Sequence, residues 1–223
     1  LKRKIITTSD GSKTIQIEDW NEQYHSKHGA INEANHVFIK SGLLHFFQLY
    51  PKVTNLSILE IGFGTGLNAF LTVIQAERLN IHIDYLGVEA YPVADTEILQ
   101  LNYVQEIDKS KSDLFAKLHA VDWEVPSAIT NTFRLTKRQQ FFSDINDVEQ
   151  FDLIYFDAFG ARVQPELWTK AMFQKMYNAL KPKGVLVTYA SIGQVKRDMK
   201  KLGFTVERLD GPPGKRHMLR ATK

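Results

Sequence analysis

The chain has 223 residues, of which 43% are apolar and 24% charged, the balance of a globular protein with room for one sizeable core. It contains no cysteine, which excludes disulfides, thiol nucleophiles and zinc–thiolate sites, and no apolar run approaches the length of a membrane span. The net charge of +3 is too small to imply nucleic-acid binding by itself, although basic residues gather from Lys196 onward, among them Lys200, Lys201, Arg208, Lys215 and Arg216. The first residue is Leu1 rather than Met, which leaves open whether a targeting segment preceded it.

Residues 1–50 lack the regular pattern that follows and read as an extension packed on a domain covering 51–223. Within them 15–18 has the character of a short strand, 21–28 is polar and aromatic, and 35–49 has amphipathic helical spacing. From Ser57 an apolar strand runs into Glu60-Ile-Gly-Phe-Gly-Thr-Gly-Leu-Asn68. Glycines let the backbone turn tightly and come close to a ligand. A helix to about Leu79 follows and directs its first N–H groups at the turn. Dinucleotide sites place the third glycine one residue later, where a pyrophosphate fits. The Gly62, Gly64, Gly66 spacing with Glu60 at the strand end points instead to S-adenosylmethionine (SAM). A glycine-rich turn with no ligand is the plainer alternative.

The alternation continues. A strand is predicted at 83–88, a helix at 93–101, and further helix over 103–130 with a break at Pro126. Strands follow at 133–136 and Phe151–Phe156, the latter apolar on both faces as a central parallel strand should be. A helix over 166–180, a strand at 184–189 and a helix at Gly193–Lys201 complete the repeat. The last two strand-like stretches, 204–209 and 217–221, are joined by a loop too short for a crossover helix, so they pair antiparallel. The expected fold is Rossmann-like α/β: a mainly parallel seven-stranded sheet ending in an antiparallel hairpin, the arrangement of SAM methyltransferases.

Ligands of such sheets bind beyond the carboxyl ends of the strands. Glu60, Glu89 and Asp157 stand at those ends. A carboxylate at Glu89 suits the two hydroxyls of an adenosine ribose, and Glu60 is expected near the methionine end of the cofactor. Asp157 is placed to hold the hydrogens of an acceptor amine, aim its lone pair and accept charge. The alternative for Asp157 is a cap on the helical turn near Pro165.

The string Phe156-Asp-Ala-Phe-Gly-Ala-Arg-Val-Gln-Pro-Glu-Leu-Trp168, with the glycine turn and Gly214-Lys-Arg-His-Met-Leu219, resembles the methyltransferase half of the MnmC family of bifunctional tRNA-modifying enzymes. The resemblance runs from about Trp20 onward. It implies methyl transfer from SAM to the aminomethyl group on the wobble uridine of tRNA, giving the methylaminomethyl derivative, and the absence of cysteine fits a cytoplasmic setting. It also implies that Asp157 is the active-site aspartate and that Gly62, Phe63, Gly64, Thr65, Gly66 and Asn68 hold the cofactor. Phe159, Lys215 and Arg216 would meet the RNA. Because the chain stops just after the hairpin, a stand-alone form without the flavin-dependent oxidase half is expected, with a separate enzyme making the aminomethyl precursor. The family's usual proline after the active-site aspartate is replaced here by Gly160-Ala-Arg, and no Gly-Asp pair follows the third strand, so the adenine contacts are unassigned. Competing functions are methylation of another RNA or a small amine, and non-catalytic RNA binding on the same fold.

Other features read more plainly. His25 and His28 lack the carboxylate companions of a metal site and suit a loop against cofactor or substrate. The pairs Phe46-Phe47 and Phe141-Phe142 suit core packing. Trp168 suits an anchor for the helix after the fourth strand. Lys196, Arg197, Lys200 and Lys201 share one helix face that suits solvent or phosphate equally.

Overall fold

The computed structural model describes residues 1–223. A small antiparallel sheet opens the chain, with β1 (Arg3–Thr7), β2 (Lys13–Ile17) and β3 (Glu22–Gln23) in that order. Helix α1 (Ala30–Ala34) then passes without a break through π-helical turns over Asn35–Leu44 into α2 (His45–Leu49). The predicted helix at 35–49 is therefore real but wider than an α-helix. In it the Ser41 hydroxyl donates to the His36 carbonyl five residues back (2.8 Å). Gly42 lets this helix lie close on the main sheet, because a Cβ there would stand 3.0 Å from Val187 and 3.2 Å from Tyr155.

The remainder is β4 (Asn55–Ile61), α3 (Leu67–Leu79), β5 (His82–Glu89), α4 (Asp95–Ile98), α5 (Tyr103–Ile107), α6 (Ser112–Ala120), β6 (Ser127–Ala128), β7 (Phe133–Gln139), β8 (Phe151–Phe156), α7 (Lys170–Ala179), β9 (Leu180–Thr188), α8 (Gly193–Lys201), β10 (Thr205–Asp210) and β11 (His217–Thr222). The sheet order is β10-β11-β9-β8-β4-β5-β7-β6. Strands β9, β8, β4, β5 and β7 are parallel, and β11 runs antiparallel to both β9 and β10. The fold is the expected Rossmann-like one, with the terminal hairpin in place.

Three local differences have physical causes. Strand β6 adds a two-residue eighth member to the seven long strands, where helix was predicted. It pairs with Arg134 and Leu135 of β7 just after Pro126, which cannot continue a helix. Helix α4 stops at Ile98 because Leu99 is 83% exposed and no apolar stripe extends it. The helix predicted over 166–180 divides into a 3-10 turn, Pro165–Trp168, and α7, whose first turn is capped by the Thr169 hydroxyl accepting from the Met172 N–H (3.3 Å).

Side-chain alternation sends the two strand faces into separate cores. Ile58, Tyr85, Leu135, Tyr155 and Val187 pack under α3, α6 and the 30–49 helix, with Val37, Phe38 and Leu43 in the same cluster. Leu59, Ile61, Val88, Ile154 and Phe156 pack under α7 and α8. Strand β4 has β5 on one side and β8 on the other, so the chain reverses its winding there and a crevice opens beyond its carboxyl end. No helix is long and apolar enough to cross a membrane.

Candidate cofactor and acceptor site

A cavity of about 1120 Å³ lies in that crevice. A pocket for one drug-sized ligand takes roughly 300–1,000 Å³, so the space admits a cofactor together with part of an acceptor.

The glycine turn forms one wall. Gly62 and Phe63 donate their N–H groups to the Val88 carbonyl (3.0 Å each), and Asp157 donates its N–H to the Ile61 carbonyl (2.9 Å), so the ends of β4, β5 and β8 are tied together. Gly62 has φ +91°, and a Cβ there would meet the Asp157 carbonyl oxygen at 2.6 Å. Only glycine fits this contact. Phe63 lines the cavity and packs edge-on against Trp123, with ring centroids 6.2 Å apart. Gly66 and Glu60 belong to the turn and the strand end but do not line the cavity.

Glu89 lines the cavity at the end of β5. Its carboxylate accepts from the Gly64 N–H (3.1 Å) and the Tyr91 N–H (3.0 Å). Burial pushes its pKa up while these backbone donors hold it down. Across the mouth, Tyr91 is 62% and Phe141 56% exposed, with ring centroids 6.0 Å apart and both rings on the cavity. Phe141 is therefore not the core residue its sequence suggests. Phe142 also lines the cavity but is half-buried and packs on the core.

The opposite end is built around Asp157. Asn68, in the first turn of α3, donates from Nδ2 both to Asp157 Oδ2 (2.8 Å) and to Glu60 Oε1 (2.9 Å). Glu60 thus reaches the site through Asn68. Burial pushes Glu60 well above the ordinary carboxyl range, favouring its neutral form. Asp157 is pushed up to about 7, first by burial and next by the nearby charge of Glu33, against the Asn68 hydrogen bond and Lys215. It does not cap the turn at Pro165, which has no side-chain cap. The loop after it is pinned by the Tyr189 hydroxyl donating to the Ala158 carbonyl and the Trp168 Nε1–H donating to the Phe159 carbonyl (2.8 Å each). Trp168 so anchors this loop as well as the helical segment that carries it.

Phe159 lines the cavity, edge-on to Trp20 (5.7 Å) and Tyr24 (4.9 Å). Arg162 fastens the same N-terminal segment, donating to the Trp20 and Asn21 carbonyls and pairing with Glu22. His25 and His28 both reach the cavity wall. His25 is buried against the Thr14 hydroxyl (Nδ1 to Oγ1, 2.8 Å), and burial lowers its pKa to about 4, so it is neutral. No group of three or more potential metal ligands is present.

Lys215 and Arg216 part company. Lys215 turns into the cavity to pair with Glu33, while Arg216 is exposed on the hairpin loop and does not line the cavity. Nor do the basic residues of α8. Tyr189 and Phe141 sit just past strand ends, a position that marks them as candidates. Nothing in the sequence pattern marks Glu33.

The groups present fit SAM better than a nucleoside phosphate. The glycine turn leaves a bare backbone wall, and the Glu89 carboxylate would repel a phosphate but accept from hydroxyls. Asn68 Oδ1 is buried without a partner, an acceptor free for a donor such as an ammonium group.

Comparison with known proteins agrees. The chain is 29% identical to the tRNA 5-methylaminomethyl-2-thiouridine biosynthesis bifunctional protein MnmC of Nitrosospira multiformis, over 88% of this chain and 33% of that protein. It is 26% identical to the protein of the same name from Hydrogenovibrio crunogenus, over 97% of this chain and 33% of that protein. It therefore spans about a third of the length of these relatives. The crystal structure of MnmC2 from Aquifex aeolicus superposes with a TM-score of 0.81 at 24% identity, over 99% of this chain and 69% of that one, and shares its fold. A family profile matches residues 103–223, more than half the chain, which includes Asp157 and its pinning residues. The chain belongs to the S-adenosyl-L-methionine-dependent methyltransferases.

Proposed function

We propose that this protein transfers a methyl group from SAM to the aminomethyl group on the wobble uridine of tRNA, giving the methylaminomethyl derivative. The observation that carries the reading is Asp157: a carboxyl with a pKa of about 7, aimed by Asn68, on a cavity with room for cofactor and acceptor. The MnmC relatives, named for tRNA 5-methylaminomethyl-2-thiouridine biosynthesis, suggest the substrate.

Glu89 would hold the ribose hydroxyls, the 62–68 turn the amino-acid portion, and the Tyr91 and Phe141 rings a planar base at the mouth. When bound, SAM supplies a methyl group on a cationic sulfur. Asp157 accepts a hydrogen bond from the acceptor amine, directs its lone pair at the glycine turn and takes its proton on Oδ1 or Oδ2. A pKa near neutrality suits that proton transfer. Phe159 with Trp20 and Tyr24 gives the acceptor an apolar wall that limits water, and exposed Arg216 would meet a phosphate. Residues 1–50 act as an extension supplying this wall to a methyltransferase domain at 51–223. The enzyme would work in the cytoplasm, downstream of an enzyme that forms the aminomethyl group.

The test is transfer from labelled SAM to tRNA from cells lacking the enzyme, with nucleoside mass spectrometry. Methylaminomethyluridine should grow at the expense of aminomethyluridine. No transfer, with SAM binding shown by calorimetry, would assign another amine. Absence of binding would leave a non-catalytic protein.

A further inference from the structure

Facing Asp157 across the acceptor end of the cavity is a cluster that the transfer step above does not use. Glu33 is almost fully buried. Its Oε1 accepts from the Ser26 N–H (3.0 Å) and its Oε2 pairs with Lys215 Nζ (2.5 Å). The Lys215 ammonium also lies 3.7 Å from the centre of the Tyr189 ring. Glu33, Tyr189, Asp157 and Lys215 all line the one cavity. A carboxylate and an aromatic face converging on an ammonium are the chemistry of an alkylammonium cage.

We propose that Glu33 and the Tyr189 face, beside Asp157, form a binding subsite for a primary alkylammonium, and that Lys215 is its resident occupant until the acceptor's own amine displaces it. The proposal rests on the reading above that the acceptor is a primary amine.

The two partners of the ion pair differ in mobility. Glu33 is held by a backbone donor inside the wall. Lys215 reaches in on a four-carbon stem, from the short loop between β10 and β11, next to Gly214 with φ +83°. Its side chain keeps 31% exposure, against 7% for Glu33. The carboxylate is the fixed element and the lysine the movable one. Removing the cation without replacement would leave Glu33 buried and unpaired beside Asp157, which is strongly unfavourable. One ammonium must therefore leave as another arrives. The rise in the pKa of Asp157 caused by Glu33 fits two carboxyls sharing one cation. If Lys215 fills the cage nine-tenths of the time, the apparent affinity for an incoming amine falls about tenfold.

Ethylammonium chloride titrated into the full chain, with sodium chloride as the control and the Tyr189 ring signals read by NMR, tests this without tRNA. Lys215→Met, which keeps the stem and deletes the charge, should tighten ethylammonium binding about tenfold. Glu33→Gln, which keeps the Ser26 hydrogen bond, should abolish it in the same background. With acceptor tRNA, Lys215→Met should lower KM about threefold or more. Equal ethylammonium affinity in wild type and Lys215→Met, no binding in either, or binding that survives Glu33→Gln would overturn the proposal. So would a raised tRNA KM with weaker salt dependence in Lys215→Met, the mark of a phosphate contact. If ethylammonium binds as expected but no tRNA is methylated, the subsite stands and the substrate assignment falls.

Discussion

Replacing Asp157 by asparagine should remove activity and strengthen the fold at once. In the folded protein this carboxyl titrates at about 7 against an ordinary value of 3.8. Between those values the native state keeps a proton that the unfolded chain has released, so stability falls as pH rises through the window from about 4 to 7. Three units at roughly 1.36 kcal/mol each amount to about 4 kcal/mol above pH 7. The residue keeps some surface on the cavity, where water screens the charge, and about half that value is the expected net effect. Asparagine has no charge to desolvate and still accepts from Asn68 Nδ2. Asp157→Asn without cofactor should therefore melt about 4–8 °C higher than wild type at pH 8, the gain shrinking towards pH 4. Its methyl transfer should drop at least ~100-fold, while wild-type kcat/KM should rise with pH to a plateau above about 7. Thermal melts from pH 4 to 8 beside methyl-transfer rates decide the matter. A variant that melts no higher at pH 8, or gains equally at every pH, refutes the desolvation argument, and retained turnover removes Asp157 from the chemistry.

Other substitutions probe the rest of the site. Glu89→Ala loses the carboxylate that anchors Gly64 and faces the cofactor space, and should weaken SAM binding about 10–100-fold by calorimetry; undiminished affinity would clear Glu89 of that role. Gly62→Ala drives a methyl group against the Asp157 carbonyl at positive φ and should cost about 2 kcal/mol or more, seen as a melting point lower by several degrees; a change within one degree would contradict the close approach. Phe141→Ala trims an exposed ring, so the melting temperature should hold within about a degree while the SAM dissociation constant rises about 3–10-fold, the worth of one aromatic contact; an unaltered constant would place the adenine elsewhere.

Much of the scaffold was legible because its strands carry local signals. The apolar runs at Asn55–Ile61 and Phe151–Phe156 and the short loop before His217 each fix a strand or a pairing within a dozen residues. The glycine turn and Asp157 were legible for the same reason, being tied to strand ends. What escaped depends on partners far along the chain. The π-helical turns answer to the close seat of Gly42 on Val187 and Tyr155, which no helical periodicity encodes. Phe141 and Phe142 are adjacent and chemically identical, yet Phe141 is exposed at the mouth while Phe142 is half-buried against the core. Glu33 looks like any surface glutamate until the hairpin loop arrives beside it.

That arrival sets an order in time. The cation opposite Glu33 is supplied by a residue 182 positions later. During synthesis β4 and its glycine turn can form, and Asp157 can follow, while the acceptor wall still lacks its last member. Long-range closures of this kind are slow to form and leave partly built states exposed. A nascent chain would thus hold a cofactor-shaped cleft before it holds a finished acceptor chamber. Until the β10–β11 turn folds, Glu33 would stand without its resident cation.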